Sequence, residues 1–224
     1  GLLVVCLSGC SQFQILYQNA DYLIESKVED YLNQTEEDRQ GLRKNIEKLI
    51  KWHRSEMLLS YSRFLDKQIF VLKKGNVSKR QIIAAVKTTR GLLEKTLKGV
   101  APFIAAVLER HTAQEKVSYI AERFKAEEME ESERLLENSD AGKKRNDRIV
   151  ANFERLVGNL NKAQLKLVEL YVNATEKYAL YWHNRRIDLR KKLVTFLRQD
   201  PPKNKIEVFL VNLFSNKGAD TIPE

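Results

Sequence analysis

Thr35-Glu36-Glu37-Asp38-Arg39-Gln40-Gly41-Leu42-Arg43-Lys44-Asn45-Ile46-Glu47-Lys48-Leu49-Ile50 is the stretch that decides the fold class. Thr35 followed three residues later by Asp38 has the form of a capping box, which satisfies backbone N–H groups that a helix start leaves without partners. Beyond it Leu42, Ile46, Leu49, Ile50, His53, Met57, Tyr61, Phe64, Leu65 and Leu72 recur at three and four residues. That spacing predicts one long helix over about 36–74, closed by Gly75 as its C-cap. Upstream, the apolar repeat predicts a first helix from Phe13 to Leu32. Downstream, Ser78 with Gln81 starts a third helix, which Gly99 and Pro102 are expected to break or kink. Thr112 with Glu115 starts another, and Asn161 with Gln164 a later one, with a break near Asn173. Asp200-Pro201-Pro202 stops the helix before it. No segment alternates at strand period, so the expectation is all-α: an irregular array or elongated bundle of roughly eight to nine helices.

Composition agrees. The chain has 224 residues with 9 Gly and 4 Pro, 31% charged and 43% apolar side chains, and a net charge of +9. Disorder, collagen-like repeats and disulfide scaffolds are excluded by that balance. One domain is expected over 10–216, with a weak boundary in an exposed loop at 138–142 and a flexible tail at 217–224.

The opening residues speak to location. Gly1 to Leu7 is an uncharged apolar run, too short to span a bilayer, ending in Leu7-Ser8-Gly9-Cys10. Leu, two small residues and Cys match the bacterial lipobox, in which a peptidase grips an extended backbone and the Cys thiol takes a diacylglyceryl group. Residues 1–9 are then the remnant of a lipoprotein signal peptide, and Cys10 the lipidated residue. With Cys6 removed, Cys10 is the one cysteine left, so no intrachain disulfide is expected. Several acyl chains on one residue meet the requirement for stable anchoring. Ser11, rather than Asp, after the Cys is the sorting signal for the outer membrane by resemblance to Gram-negative lipoproteins. The expected location is the periplasmic face of the bacterial outer membrane.

Leu7-Ser8-Gly9-Cys10-Ser11, Leu16-Tyr17-Gln18-Asn19-Ala20-Asp21-Tyr22-Leu23, Asp30-Tyr31-Leu32, Trp52-His53-Arg54-Ser55-Glu56 and the basic run from Arg185 to Lys192 resemble an uncharacterised family of proteobacterial lipoproteins, a DUF6279-like domain of unknown function. The resemblance implies an exported, lipid-anchored helical protein. It carries no catalytic residues.

Chemistry-bearing motifs are few. His53, His111 and His183 have no zinc-ligand spacing, and no nucleophile elbow, phosphate loop or dinucleotide fingerprint is present. Neither metal nor cofactor is expected beyond the lipid on Cys10. Trp52-His53 and Trp182-His183 are repeated pairs in which the Trp is expected to pack and the His to sit at the edge of the core, or in which both line a groove. Tyr17, Asn19 and Asp21 are either satisfied in the core or line such a groove. Glu25-Ser26 and Glu131-Ser132 offer the Glu-Ser dipeptide of helical lytic transglycosylases, without that family's Gly-Leu-Met-Gln or Ala-Tyr-Asn motifs. A general acid there needs a Glu of raised pKa. Val77-Ser78-Lys79-Arg80-Gln81 and Leu160-Asn161-Lys162-Ala163-Gln164 share one helix-start pattern, a degenerate likeness to the Leu-Thr-x-x-Gln motifs of small periplasmic stress chaperones. Glu127 to Glu137 is acidic, while Lys143-Lys144-Arg145 and Arg185, Arg186, Arg190, Lys191 and Lys192 are basic. The latter five read either as a solvated face or as a contact for anionic lipid or an acidic envelope protein. Nucleic acid is not an expected partner. The function read from the sequence is a non-enzymatic binding or scaffold module, with a chaperone-like or envelope-stress adaptor as the alternative.

Overall fold

A computed structural model describes residues 17–136 and 141–215. Leu7, Ser8, Gly9, Cys10 and Ser11, most of the loop expected at 138–142 and the tail after 215 lie outside the described residues. Among the described residues there is no strand, and the chain is all-α as its periodicity requires. The helices are α1 Ala20–Glu29, α2 Glu36–Trp52, a π-helical segment His53–Leu58, α3 Leu59–Lys73, α4 Lys79–Leu108, a short 3-10 turn Glu109–His111, α5 Gln114–Leu136, α6 Ala141–Val157, α7 Lys162–Ala174, α8 Glu176–Leu197 and α9 Lys203–Phe214.

Three helix starts follow local chemistry. Thr35 Oγ1 accepts from Asp38 N–H at 3.2 Å while the Asp38 carboxylate accepts from Thr35 N–H at 3.0 Å. Ser78 with Gln81 and Asn161 with Gln164 form the same reciprocal box. The long helix expected over 36–74 exists as α2, the π segment and α3 in unbroken succession, and Gly75 follows it in the left-handed region at φ 84°. Thr112 behaves differently from expectation, since its hydroxyl turns back to the Glu109 carbonyl.

The break expected in α4 does not occur. Gly99 and Pro102 do not break α4, which runs for 30 residues through both. Tertiary packing explains the glycine, because a Cβ at Gly99 would overlap the Cζ2 and Cη2 atoms of the Trp52 indole. Around Pro102, Ala101 and Ala105 are fully buried where α4 receives α9. Burial of this face offsets the hydrogen bond that the proline cannot donate.

The chain divides into two compact units. One comprises Asp21–Val117 and the segment from Phe196 on; Leu42, Ile46, Met57, Ala105, Leu197, Ile206 and Leu210 are among its buried residues. Phe196 and Phe209 stack at 4.3 Å, and Glu109 Oε1 accepts from Lys203 N–H at 3.1 Å, placing a carboxylate at the start of α9. The other unit comprises Ser118–Thr195, with the described residues that precede Asp21. In it Ile120, Val168, Val172 and Val194 are buried, and Arg145 ties down the end of α7 by donating to Val172 O at 3.0 Å and Thr175 Oγ1 at 2.7 Å. All three divisions, at Asp21, Ser118 and Phe196, fall inside helices.

Candidate functional site

The two Trp-His pairs lie in different units. In the first, Trp52 ends α2 and packs on Phe103 at 5.9 Å and on the bare backbone of Gly99. His53 opens the π-helical segment, with its ring 5.7 Å from Tyr61. The Tyr61 hydroxyl bonds to Thr96 Oγ1 across to α4. Burial holds the His53 imidazole below its ordinary pKa, which favours the neutral ring.

The second pair reverses the expected roles. His183 is buried at 4% exposure, while Trp182 is 40% exposed, edge-on to Tyr181 and 6.0 Å from the Arg185 guanidinium. The reason is polar. His183 Nδ1 lies 3.3 Å from Glu131 Oε2 and Nε2 lies 3.1 Å from Ser132 Oγ, so both ring nitrogens find partners on α5 that an indole could not use.

His183 heads a stripe. Arg186 Nε donates to Glu131 Oε2 at 3.3 Å, and Arg190 Nη2 donates to Glu127 Oε2 at 2.7 Å, with Arg190 also over the Phe124 ring at 5.6 Å. Positions 183, 186 and 190 share a face of α8, and 127 and 131 share a face of α5. That complementary pair of i, i+3, i+7 and i, i+4 patterns was the sequence signal available for this contact. Burial by itself would raise the Glu131 carboxyl, but Arg186 and Arg190 outweigh it and the net shift is downward. A general acid requires the opposite. Glu25, the other Glu-Ser candidate, accepts from Arg43 Nε at 2.6 Å.

The basic run is therefore not uniformly open to a ligand. Arg186 and Arg190 are engaged by α5, Lys192 pairs with Asp188 at 2.7 Å, Arg185 is half-buried beside Trp182, and Lys191 is exposed. Tyr17 is half-buried, but Asn19 and Asp21 are exposed rather than set in a core. The half-buried residues of α1 are chiefly Ile24, Glu25 and Val28, after both of them.

Two features escaped the sequence reading. Asp38, read as a cap, is also a buried hub: Lys116 Nζ donates to it at 2.6 Å and Arg110 Nε at 3.2 Å. Burial would raise this carboxyl, but Lys116, the Thr35 N–H and hydroxyl and Arg110 hold it far below the usual carboxylate range. Beside it, His111 is fully buried and bonded to Val107 O at 2.8 Å; burial chiefly keeps it below its ordinary pKa. Second, the recurring helix start belongs to a longer repeat at two hairpin turns. Gly75-Asn76-Val77-Ser78-Lys79-Arg80-Gln81 joins α3 to α4, and Gly158-Asn159-Leu160-Asn161-Lys162-Ala163-Gln164 joins α6 to α7. Both glycines take positive φ, 84° and 79°.

Both hairpins leave apolar side chains in water. On the first these include Phe70 at 61% exposure, Leu72, Ile82 and Ile83; on the second, Leu167 at 64%, Leu170 and Tyr171. An apolar groove of about 500 Å³ runs between α6 and α7, lined by Ile149, Phe153, Leu167, Val168 and Tyr171. Another of about 480 Å³, bordered by α1, α2 and α4, is lined by Ile24, Val28, Leu42, Ile46, Phe103 and Val107 among others.

A family model described as a family of unknown function, DUF6279, matches residues 30–219. The chain belongs to the DUF6279 family. Among curated proteins and solved structures nothing matches. The DUF6279 match takes in both Trp-His pairs, both hairpins and the α5–α8 ion pairs; the lipobox and Tyr17 to Asp21 precede it. Among the described residues of this DUF6279 chain no group of His, Cys, Asp and Glu has the geometry to hold a metal ion, and no helix is long and apolar enough to cross a membrane.

Proposed function

We propose that this DUF6279 protein is a non-enzymatic binding or scaffold module, held at the periplasmic face of the bacterial outer membrane by a lipid on Cys10. The single observation that carries the binding role is the pair of helical hairpins whose apolar side chains stay exposed, one in each compact unit. Contiguous apolar surface on a folded chain marks a contact site more often than a free surface. The lipobox supports the anchor, and the reading needs no cofactor beyond the lipid and no nucleic acid. The groove between α6 and α7 is the surface offered to an envelope protein.

A chaperone-like or envelope-stress adaptor role is the second reading, favoured by the shared hairpin turn and by the same exposed residues. Action on peptidoglycan is the least supported, since Glu131 is stabilised as a carboxylate by two arginines.

Two experiments test the proposal. The full-length protein with a complete signal peptide should incorporate labelled palmitate, and Cys10→Ser should abolish it; unlabelled protein would refute the anchor. Photocrosslinking in cells from positions 167, 170 and 171 separates the binding roles. A discrete adduct indicates a scaffold and a broad ladder indicates client holding. No adduct at all would remove the α6–α7 groove from both.

A further inference from the structure

Positive charge is concentrated in one element. From Leu59 to Thr89, which is α3, the turn and the first third of α4, the chain has seven Lys and Arg and one carboxylate, Asp66, a net +6. Arg63, Lys67, Lys73, Lys74, Lys79, Arg80 and Lys87 are all exposed, and among the described residues none pairs with a carboxylate. The same hairpin has almost no interior. No residue of α3 is buried, and on α4 the first buried residue is Ala101, more than twenty positions after the helix begins.

Each helix of the hairpin carries two apolar stripes. Phe64, Val71, Ala85 and Leu92 are half-buried along the groove where the helices meet. The second stripe, Leu65, Ile69 and Leu72 on α3 with Ile82, Val86 and Leu93 on α4, is exposed, as are Phe70 and Ile83 beside it. Four cations, Lys73, Lys74, Lys79 and Arg80, flank the turn itself, with Lys74 Nζ 4.3 Å above the Phe70 ring.

An exposed apolar face shared by the two helices, flanked by long flexible cations, suits a partner that offers apolar and anionic groups side by side. A bilayer interface does this: acyl chains take the apolar residues while Lys and Arg extend to the phosphates. No described helix is long and apolar enough to cross, so the contact is interfacial. We propose that the α3–α4 hairpin is a membrane-contact element that seats its turn-proximal apolar residues in the headgroup region of an anionic phospholipid bilayer. The inference rests on the envelope location proposed above and replaces the Arg185–Lys192 run, whose arginines are engaged, as the lipid-facing charge.

The test is co-sedimentation of the full chain carrying Cys10→Ser with phosphatidylcholine vesicles, with and without phosphatidylglycerol, across a salt series. Binding is expected only with phosphatidylglycerol, falling on the order of tenfold as salt rises to physiological strength. Lys73→Glu, Lys74→Glu, Lys79→Glu and Arg80→Glu together should lower affinity by on the order of a hundredfold or more. Arg186→Ala should leave it unchanged. A Phe70→Trp chain should gain emission that brominated lipid quenches. No binding at low salt, equal binding to neutral vesicles, binding that survives the four-charge reversal, or dependence on Arg186 instead would each overturn the proposal. The salt series on the otherwise unaltered chain keeps the test valid should a variant misfold. Palmitate labelling is independent of vesicle binding, so loss of the first overturns the anchor and loss of the second overturns the hairpin contact.

Discussion

Arg185 to Lys192 carries five positive charges and one negative, and the turn-proximal part of the α3–α4 hairpin, Leu59 to Thr89, carries seven and one. In the first region the helix face that holds Arg186 and Arg190 meets Glu127 and Glu131 on α5, and a buried imidazole joins them. In the second no acidic face arrives, and the cations remain in water beside leucines, isoleucines and a phenylalanine. Charge density along a chain is thus a poor guide to an available charged surface. What distinguishes a folding element from a recognition element is whether a complementary face elsewhere in the chain has already taken the charge.

The most fully engaged charge sets the upper end of that contrast. Asp38→Ala removes a buried carboxylate from Lys116, Arg110 and the start of α2, leaving Lys116 nearly buried without its counter-ion. Loss of one partner from such a cluster costs about 3–5 kcal/mol, readable as a lower urea midpoint. Acid should reproduce part of it. A carboxyl held low in the folded state contributes stability that is complete above its unfolded pKa of about 4, and that contribution drains as pH falls below this. His111, buried with its pKa lowered, contributes in the same direction over a higher window: stability is complete above about 6.5 and declines as pH falls through it. Two steps in midpoint against pH are expected, and His111→Phe should shrink the upper one, leaving the share of His53, whose burial acts in the same direction. A midpoint flat from pH 7 to 5 would show that His111 makes no such contribution.

Arg190→Glu tests the α5–α8 face directly. The change sets a carboxylate against Glu127 and Glu131 at a site only 17% exposed, and should cost about 2–4 kcal/mol. The chain has one tryptophan in each unit, Trp52 and Trp182, which separates the readouts. In a Trp52→Phe background the remaining Trp182 should report the loss. An unchanged Trp182 transition would mean that the acidic and basic faces are merely adjacent.

Glycine substitutions carry the contrast from charge to space. Gly99→Ala drives a methyl group into the Trp52 indole and should cost about 1–3 kcal/mol, whereas Gly91→Ala, on the same helix with open space around it, should be neutral or stabilising by up to about 1 kcal/mol. Equal effects would show that α4 does not press on Trp52.

These pairs also mark how far the sequence was legible. Capping boxes at Thr35, Ser78 and Asn161 span three residues, and local chemistry is complete within them. The all-α class follows from the same local rules. Helix α4 running through Pro102 was not legible, because the local rule counts a missing hydrogen bond but not the burial of Ala101 and Ala105 against α9. His183 was read as an edge residue because Glu131 and Ser132 lie about fifty positions away; only pairing the two helix faces by charge would have joined them. Of the surfaces, the acidic and basic runs were visible, but which run is already neutralised is decided by helix pairing.

The smallest expected effect on stability decides most about function. Reversing Lys73, Lys74, Lys79 and Arg80 to Glu removes four exposed cations that no carboxylate among the described residues holds, so the urea midpoint should not move. Four carboxylates repel one another much as the four cations do, so the change stays within the scatter expected of surface substitutions. An evolved surface that folding does not use, yet that sets seven positive charges among exposed apolar side chains, makes sense only through something it touches. Should the reversal instead destabilise the chain as much as Arg190→Glu, the hairpin charges would prove to be structural after all, and the distinction between engaged and free cations would fail at its clearest point.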